Sequence, residues 1–315
     1  MRRASSAIRN FGDDGLRRIC IVIAAVAALL SASPIVGAGA NNFKWVTSIY
    51  ADANGVALKR PEGVACGEKF VIVADTGNKR LVRYAYEGAV VTAEAVFSLG
   101  KSSPMLLQAN SKGDLYFLDG RERRIVLLKA SGERIGFLNP KSMPSSKEIV
   151  PKSFRIDSEN NIYILDIFSQ HVIVLDSDAQ FSKKLPLPEN RGFFSDIAVD
   201  RQGKIYILDS VEAVVHSAAK GSSTFTPLTE SLKEIVNFPT RLSVDDRGVV
   251  YLVDQNGSGL GLVAPDGASL GRRLGLGWNN SGLFYPSQIC ISDGGAVFIA
   301  DRSNNRVQMF SVTAD

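Results

Sequence analysis

One pattern constrains this chain above all others: a short apolar run ending in aspartate, repeated six times. The runs are FVIVAD, LYFLD, IYILD, IYILD, VYLVD and VFIAD, ending at Asp75, Asp119, Asp166, Asp209, Asp254 and Asp301. The spacings are 44, 47, 43, 45 and 47 residues. Self-similarity at such a period marks propellers and arrays. A second apolar segment precedes each run, as in GVAC, LLQA, FRI, IAV, RLSV and ICI. Turns rich in Gly or Asn separate many of these pairs, for example Ser111-Lys112-Gly113, Arg201-Gln202-Gly203 and Asp293-Gly294-Gly295. Gly and Asn tolerate the backbone angles that such turns need.

A third β-rich segment follows each Asp, and a fourth, less regular one closes the first five units. No unit carries a convincing 3.6-residue period, which excludes helical solenoids. Four strands in each of six units predict an all-β fold, a six-bladed β-propeller of four-stranded antiparallel blades. Near-continuous apolar strands suit blades that pack on both faces. The sixth unit stops after its third strand, at Val312, whereas Phe43–Tyr50 (FKWVTSIY) precedes the first unit and resembles no first strand. The expectation is that this N-terminal strand completes the last blade and closes the ring, removing the exposed edges.

The motif P-x-G-[IV]-A followed by [IV]-x-[IV]-A-D-T-G-N-x-R-[IV] resembles the NHL repeat. Unit 1 carries it through Pro61, Gly63, Val64, Ala65, Val71, Val73, Ala74, Asp75, Thr76, Gly77, Asn78, Arg80 and Leu81. Unit 6 carries Pro286, Ile289, Ala300, Asp301, Asn304, Arg306 and Val307, and departs at Gln288 and Cys290. Units 2 to 5 keep the strands and the Asp but lose most of the turn. The resemblance, from Phe43 to Val312, implies fold far more than activity, since NHL-type propellers include interaction modules and several enzyme groups.

The ends of the chain add an expectation about location. Arg17-Arg18 precede the apolar run Ile19–Leu30, and Ala38-Gly39-Ala40 closes the segment. That is the form of a signal peptide. Residues 1–40 therefore read as a leader cleaved after Ala40, or as an uncleaved signal anchor, and 41–315 as the exported propeller, periplasmic or extracellular. Only an uncleaved leader would attach it to a membrane. The formal charge is +4, but five Arg and two Asp lie in residues 1–40, so the remainder is within one charge of neutral. This disfavours nucleic acid as a partner.

Candidate chemistry is sparse. The recurring Asp reads as a turn acceptor. His171 and His216 read as structural or surface residues, with no second ligand at metal spacing. There is no H-E-x-x-H or C-x-x-C. No catalytic residue, metal site or cofactor is assigned. Aligning the units on Asp puts Gly63, Leu106, Ser153, Asp196, Arg241 and Gln288 at the start of the innermost strands, ringing one channel mouth. Ser153, Asp196, Arg241 and Gln288 are the candidate ligand-binding set. Their plainer reading is a solvated lining in which Asp196 and Arg241 pair. The Asp-containing turns share that face, offering Asn78, Arg121, Arg123, Phe168, Gln170 and Asn304 to a partner. Cys66 and Cys290 fall in innermost strands with opposite side-chain parity, which predicts a disulfide or close thiol contact across the ring closure. The leading expectation is a non-enzymatic binding module for an envelope protein or a small polar ligand. The alternative is a metal-dependent lyase or lactonase-like hydrolase working at the channel through Asp196.

Overall fold

The computed structural model describes residues 42–144, 148–189 and 192–313. The leader, with the questions of its cleavage and anchoring, lies outside the described residues. Among them no helix is long and apolar enough to cross a membrane.

Six four-stranded antiparallel sheets form the blades. Blade 1 runs Gly63–Cys66, Phe70–Asp75, Arg80–Glu87 and Val90–Ser98. Blade 2 begins at Pro104–Ala109, blade 3 at Pro151–Ile156, blade 4 at Phe194–Val199 and blade 5 at Pro239–Val244. Blade 6 takes Gln288–Ile291, Ala296–Asp301 and Arg306–Thr313 from the C-terminal end and Asn42–Ile49 from the other. Asn42–Ile49 pairs antiparallel with Arg306–Thr313, Asn42 opposite Thr313 and Ile49 opposite Val307. The ring is thus closed by the N-terminal strand.

Burial explains the apolar runs. Every residue of Ile162–Asp166, Ile205–Asp209 and Val250–Asp254 is buried, because both faces of a second strand meet neighbouring blades. Outer strands alternate instead, as in Val90–Ser98. The core is a set of clusters lying in the seams between blades. Leu107, Phe117 and Val126 of blade 2 pack on Ile72, Ala74 and Leu81 of blade 1. Phe298 and Met309 of blade 6 pack on Val71, Val73 and Tyr84 across the closure. Removing one such buried ring, as in Phe→Ala, costs about 3–5 kcal/mol.

The repeated Asp pins each blade's second strand to the chain entering that blade. Asp75 accepts from the Lys59 amide, Asp119 from Ser103, Asp166 from Val150, Asp209 from Phe193, Asp254 from Phe238 and Asp301 from Phe284. The same carboxylates also serve the turn, as where Asp119 Oδ1 accepts from the Arg121 amide as well. In blades 1 and 6 an arginine completes the unit: Arg80 binds Asp75 at 2.7 Å and Arg306 binds Asp301 at 2.8 Å.

Candidate functional site

The innermost strands do not run straight into the mouth of the channel. In blades 3, 4 and 5 the pairing with the second strand slips between Pro151 and Ser153, Phe194 and Asp196, and Pro239 and Arg241. A comparable slip lies between Pro104 and Leu107. Each is a bulge, which re-aims side chains near it. In every blade the residue just before the expected position lines the mouth, in blades 1 and 6 without such a slip. The open mouth is lined by Glu62, Met105, Lys152, Ser195, Thr240 and Ser287, one from each blade, together with Phe193, Phe238, Arg241, Gln255 and Arg302. It forms a cavity of about 420 Å³.

The expected lining set sits one step deeper. Ser153, Asp196 and Gln288 are buried rather than solvated. The Ser153 hydroxyl of blade 3 donates to Asp196 Oδ1 of blade 4, and Asp196 Oδ2 accepts from the Leu242 amide of blade 5 at 2.7 Å. Gln288 Oε1 accepts from the amides of Val64 and Leu107, each at 3.1 Å, and its Nε2 donates to the Leu107 carbonyl at 3.0 Å. Asp196 therefore ties blades 3, 4 and 5, and Gln288 ties blades 6, 1 and 2. Further along the axis, Arg155 of blade 3 donates to Ser243 of blade 5 at 3.3 Å.

Of the four candidates only Arg241 reaches the cavity. The expected pairing of Arg241 with Asp196 is replaced: Arg241 Nη1 donates to the carbonyls of Ser195 and Thr240. Burial pushes the Asp196 carboxyl up, against the opposing charge of Arg241 and the hydrogen bonds from Ser153 and Leu242. Burial and then the charge of Arg241 push the Lys152 ammonium down, with Asp196 opposing. Lys152 stands over the Phe193 ring at 4.4 Å. Glu62 is occupied by Arg302, Nε to Oε1 2.8 Å.

The turn residues divide. Arg121, Arg123, Phe168 and Gln170 are exposed on the mouth face. Asn78 and Asn304 instead turn inward as anchors: Asn78 donates to the Ala57 carbonyl and Asp75, Asn304 to the Gly277 carbonyl and Asp301. The short side-chain amide satisfies the loop that enters its own blade. Cys66 and Cys290 are bonded across the closure, with Cα atoms 6.0 Å apart. His171 Nδ1 donates locally to the Ser169 carbonyl, and His216 is buried against Phe194. Neither lines the mouth. Among the described residues no three His, Cys, Asp or Glu side chains gather as a metal site would need.

The signal for the mouth residues was present. Five of the six follow a proline: Pro61-Glu62, Pro104-Met105, Pro151-Lys152, Pro239-Thr240 and Pro286-Ser287. Proline lacks the donor a ladder needs and suits the first position of a strand or a bulge.

The fold and its side-chain-bridged axis define a six-bladed β-propeller. The sequence model of the NHL repeat matches residues 285–310. The chain thus carries an NHL repeat in its last blade, within a ring of six blades of the same plan. No curated protein matches it. Among solved structures it is similar to a catalytically inactive virginiamycin B lyase from Staphylococcus aureus with quinupristin, at 12% identity and TM-score 0.59, covering 86% of this chain and 100% of that one. It is also similar to a gluconolactonase from Xanthomonas campestris, at 13% identity and TM-score 0.62, covering 88% and 92%. At such identities the likeness is one of fold.

Proposed function

We propose that this chain is an exported binding module that meets its partner, an envelope protein, through the face bearing the channel mouth. One observation carries the reading. Of the large apolar side chains exposed among the described residues, Val90, Val96 and Ile135 lie on outer strands or their hairpin. All the others, Tyr50, Val56, Ile167, Phe168, Phe193, Val211, Leu276, Trp278 and Tyr285, fall in segments that enter or turn on the mouth face. Exposed apolar surface gathered on one side of a molecule marks an interaction site. Export rests on the leader's charged, apolar and small-residue pattern.

The enzymatic alternative draws on what the neighbouring structures are named for. The donor set does not fit a metal of the kind such folds hold. Calcium takes six or more oxygens. Here Glu62 is held by Arg302, both Asp196 oxygens are engaged, and Lys152 and Arg241 add positive charge.

A photo-crosslinking side chain placed at Phe168 is expected to capture a partner in the cell envelope, and one placed at Lys112, on the opposite face, is not. Equal capture from both would sink the binding-face reading. A stoichiometric metal in the purified protein that vanishes in Asp196→Ala would favour the enzyme.

A further inference from the structure

The mouth cavity combines two features that its role as a partner face does not require. The first is charge. Lys152 and Arg241 both line it, and among the described residues neither forms a salt bridge with a carboxylate. Two cations facing one concavity repel each other, and the lowered Lys152 ammonium is in keeping with that. Arg241 is held in place by Nη1 alone, through two backbone carbonyls, so the rest of its fork is pre-oriented. Glu62 cannot serve as their counterion because Arg302 holds it. Asp196 lies beneath, both of its oxygens taken by Ser153 and Leu242. It is the one carboxylate set against Lys152, Arg241 and the buried Arg155, so positive charge is left over.

The second feature is shape. Met105, Phe193 and Phe238 supply apolar wall to the same cavity, whose volume of about 420 Å³ is in the range for small-ligand sites. A cavity with surplus positive charge at its floor and apolar sides is complementary to a negative charge on an apolar body.

We propose that the mouth binds an amphipathic monocarboxylate, its carboxylate held between Lys152 and Arg241 and its apolar body against Met105, Phe193 and Phe238. This rests on the mouth face being the binding face, and goes further in naming the ligand's chemistry. A carboxylate suits the arrangement because the planar fork of arginine matches its two oxygens, and the apolar walls suit the body that carries it.

Isothermal titration of the purified full-length chain with 4-phenylbutyrate tests it, against 4-phenylbutanol and 4-phenylbutylamine of the same shape and against inorganic phosphate. Saturable binding of the carboxylate is expected, with the alcohol and amine at least about tenfold weaker. Lys152→Met and Arg241→Gln should each lose that preference. Lys152→Met keeps the apolar stem, so its fold is the safer of the two, and thermal melting of both variants separates misfolding from lost recognition. A phenylalanine-terminated tripeptide and its C-terminal amide distinguish the source of the carboxylate. Preference for the peptide acid over phenylbutyrate assigns a chain terminus, and the reverse assigns a free acid. Equal binding of the alcohol, unchanged binding in folded Lys152→Met, or no saturable binding at millimolar carboxylate would each overturn the proposal. Those results leave crosslinking from Phe168 untouched, so the two readings fail separately.

Discussion

Gln288 and Leu107 belong to blades 6 and 2, which are not neighbours in the ring, yet the Gln288 carboxamide makes both hydrogen bonds that the Leu107 backbone offers. A side chain here acts as a strand would, supplying an acceptor and a donor to one residue across the axis. It also accepts from Val64 of the intervening blade.

Replacing Gln288 by Leu should therefore expose the ring's dependence on this amide. Two buried amides and one carbonyl would lose their partner, at about 1–3 kcal/mol for each group left unsatisfied. A urea midpoint well below wild type is expected. A midpoint equal to wild type would show that water meets those groups instead.

Gly63 shows how closely blades 1 and 2 approach. A Cβ added there would stand 2.2 Å from the Met105 carbonyl oxygen. Gly63→Ala must push the blades apart, at about 1–3 kcal/mol. Because Met105 lines the mouth, this substitution should also weaken ligand binding, which titration beside thermal melting would detect.

The Cys66–Cys290 bond joins residues 224 apart in sequence. A loop that long restricts the unfolded chain strongly, and reduction should cost about 2–5 kcal/mol. Melting with and without dithiothreitol checks this, and the double variant Cys66→Ser/Cys290→Ala should be insensitive to reductant.

Acid should destabilise the ring through Asp254. Burial alone would raise this carboxyl, but Arg272 and the amides of Asn237, Phe238 and Gly257 outweigh it and hold it below its ordinary value of 3.8. Its contribution is present above that value and lost as the pH falls through the lowered native one. Arg272→Met should flatten this acid limb. Asp196 has the opposite sign: its carboxyl is raised, so stability declines as the pH rises from 3.8 through the native value. Asp196→Asn should remove that decline. Urea midpoints across the pH range resolve both.

Blade number, strand order and ring closure are legible in the sequence because each rests on apolar periodicity, which burial imposes directly. The aspartate repeat is legible for a similar reason, since every copy meets the same backbone demand. The mouth is less so. Its lining residues Glu62, Met105, Lys152, Ser195, Thr240 and Ser287 share no chemistry, because each meets a different neighbour: Glu62 meets Arg302, Lys152 the Phe193 ring, Ser195 the Ser210 hydroxyl and Ser287 the Pro61 carbonyl. Counting back from Asp lands on Ser153, Asp196 and Gln288, and in blades 3 and 5 the bulge beside the mouth residue has no compositional mark beyond the proline before it. The exposed Phe168 could be noticed in a turn, but its company of Trp278, Tyr285 and Phe193 emerges only once distant loops share a face.

The strand pairing of Asn42 with Thr313 has a temporal meaning. The first strand of the propeller to be synthesised waits for the last. Until Arg306–Thr313 exists, Asn42–Ile49 has no sheet to join, and its Phe43 and Trp45 lack the packing they find against Tyr251 and Phe310. A chain halted partway is not a smaller propeller but an open arc with strand edges exposed, the kind of species that aggregates. Since the mouth draws a residue from every blade, its wall is complete only when the final strand has been delivered.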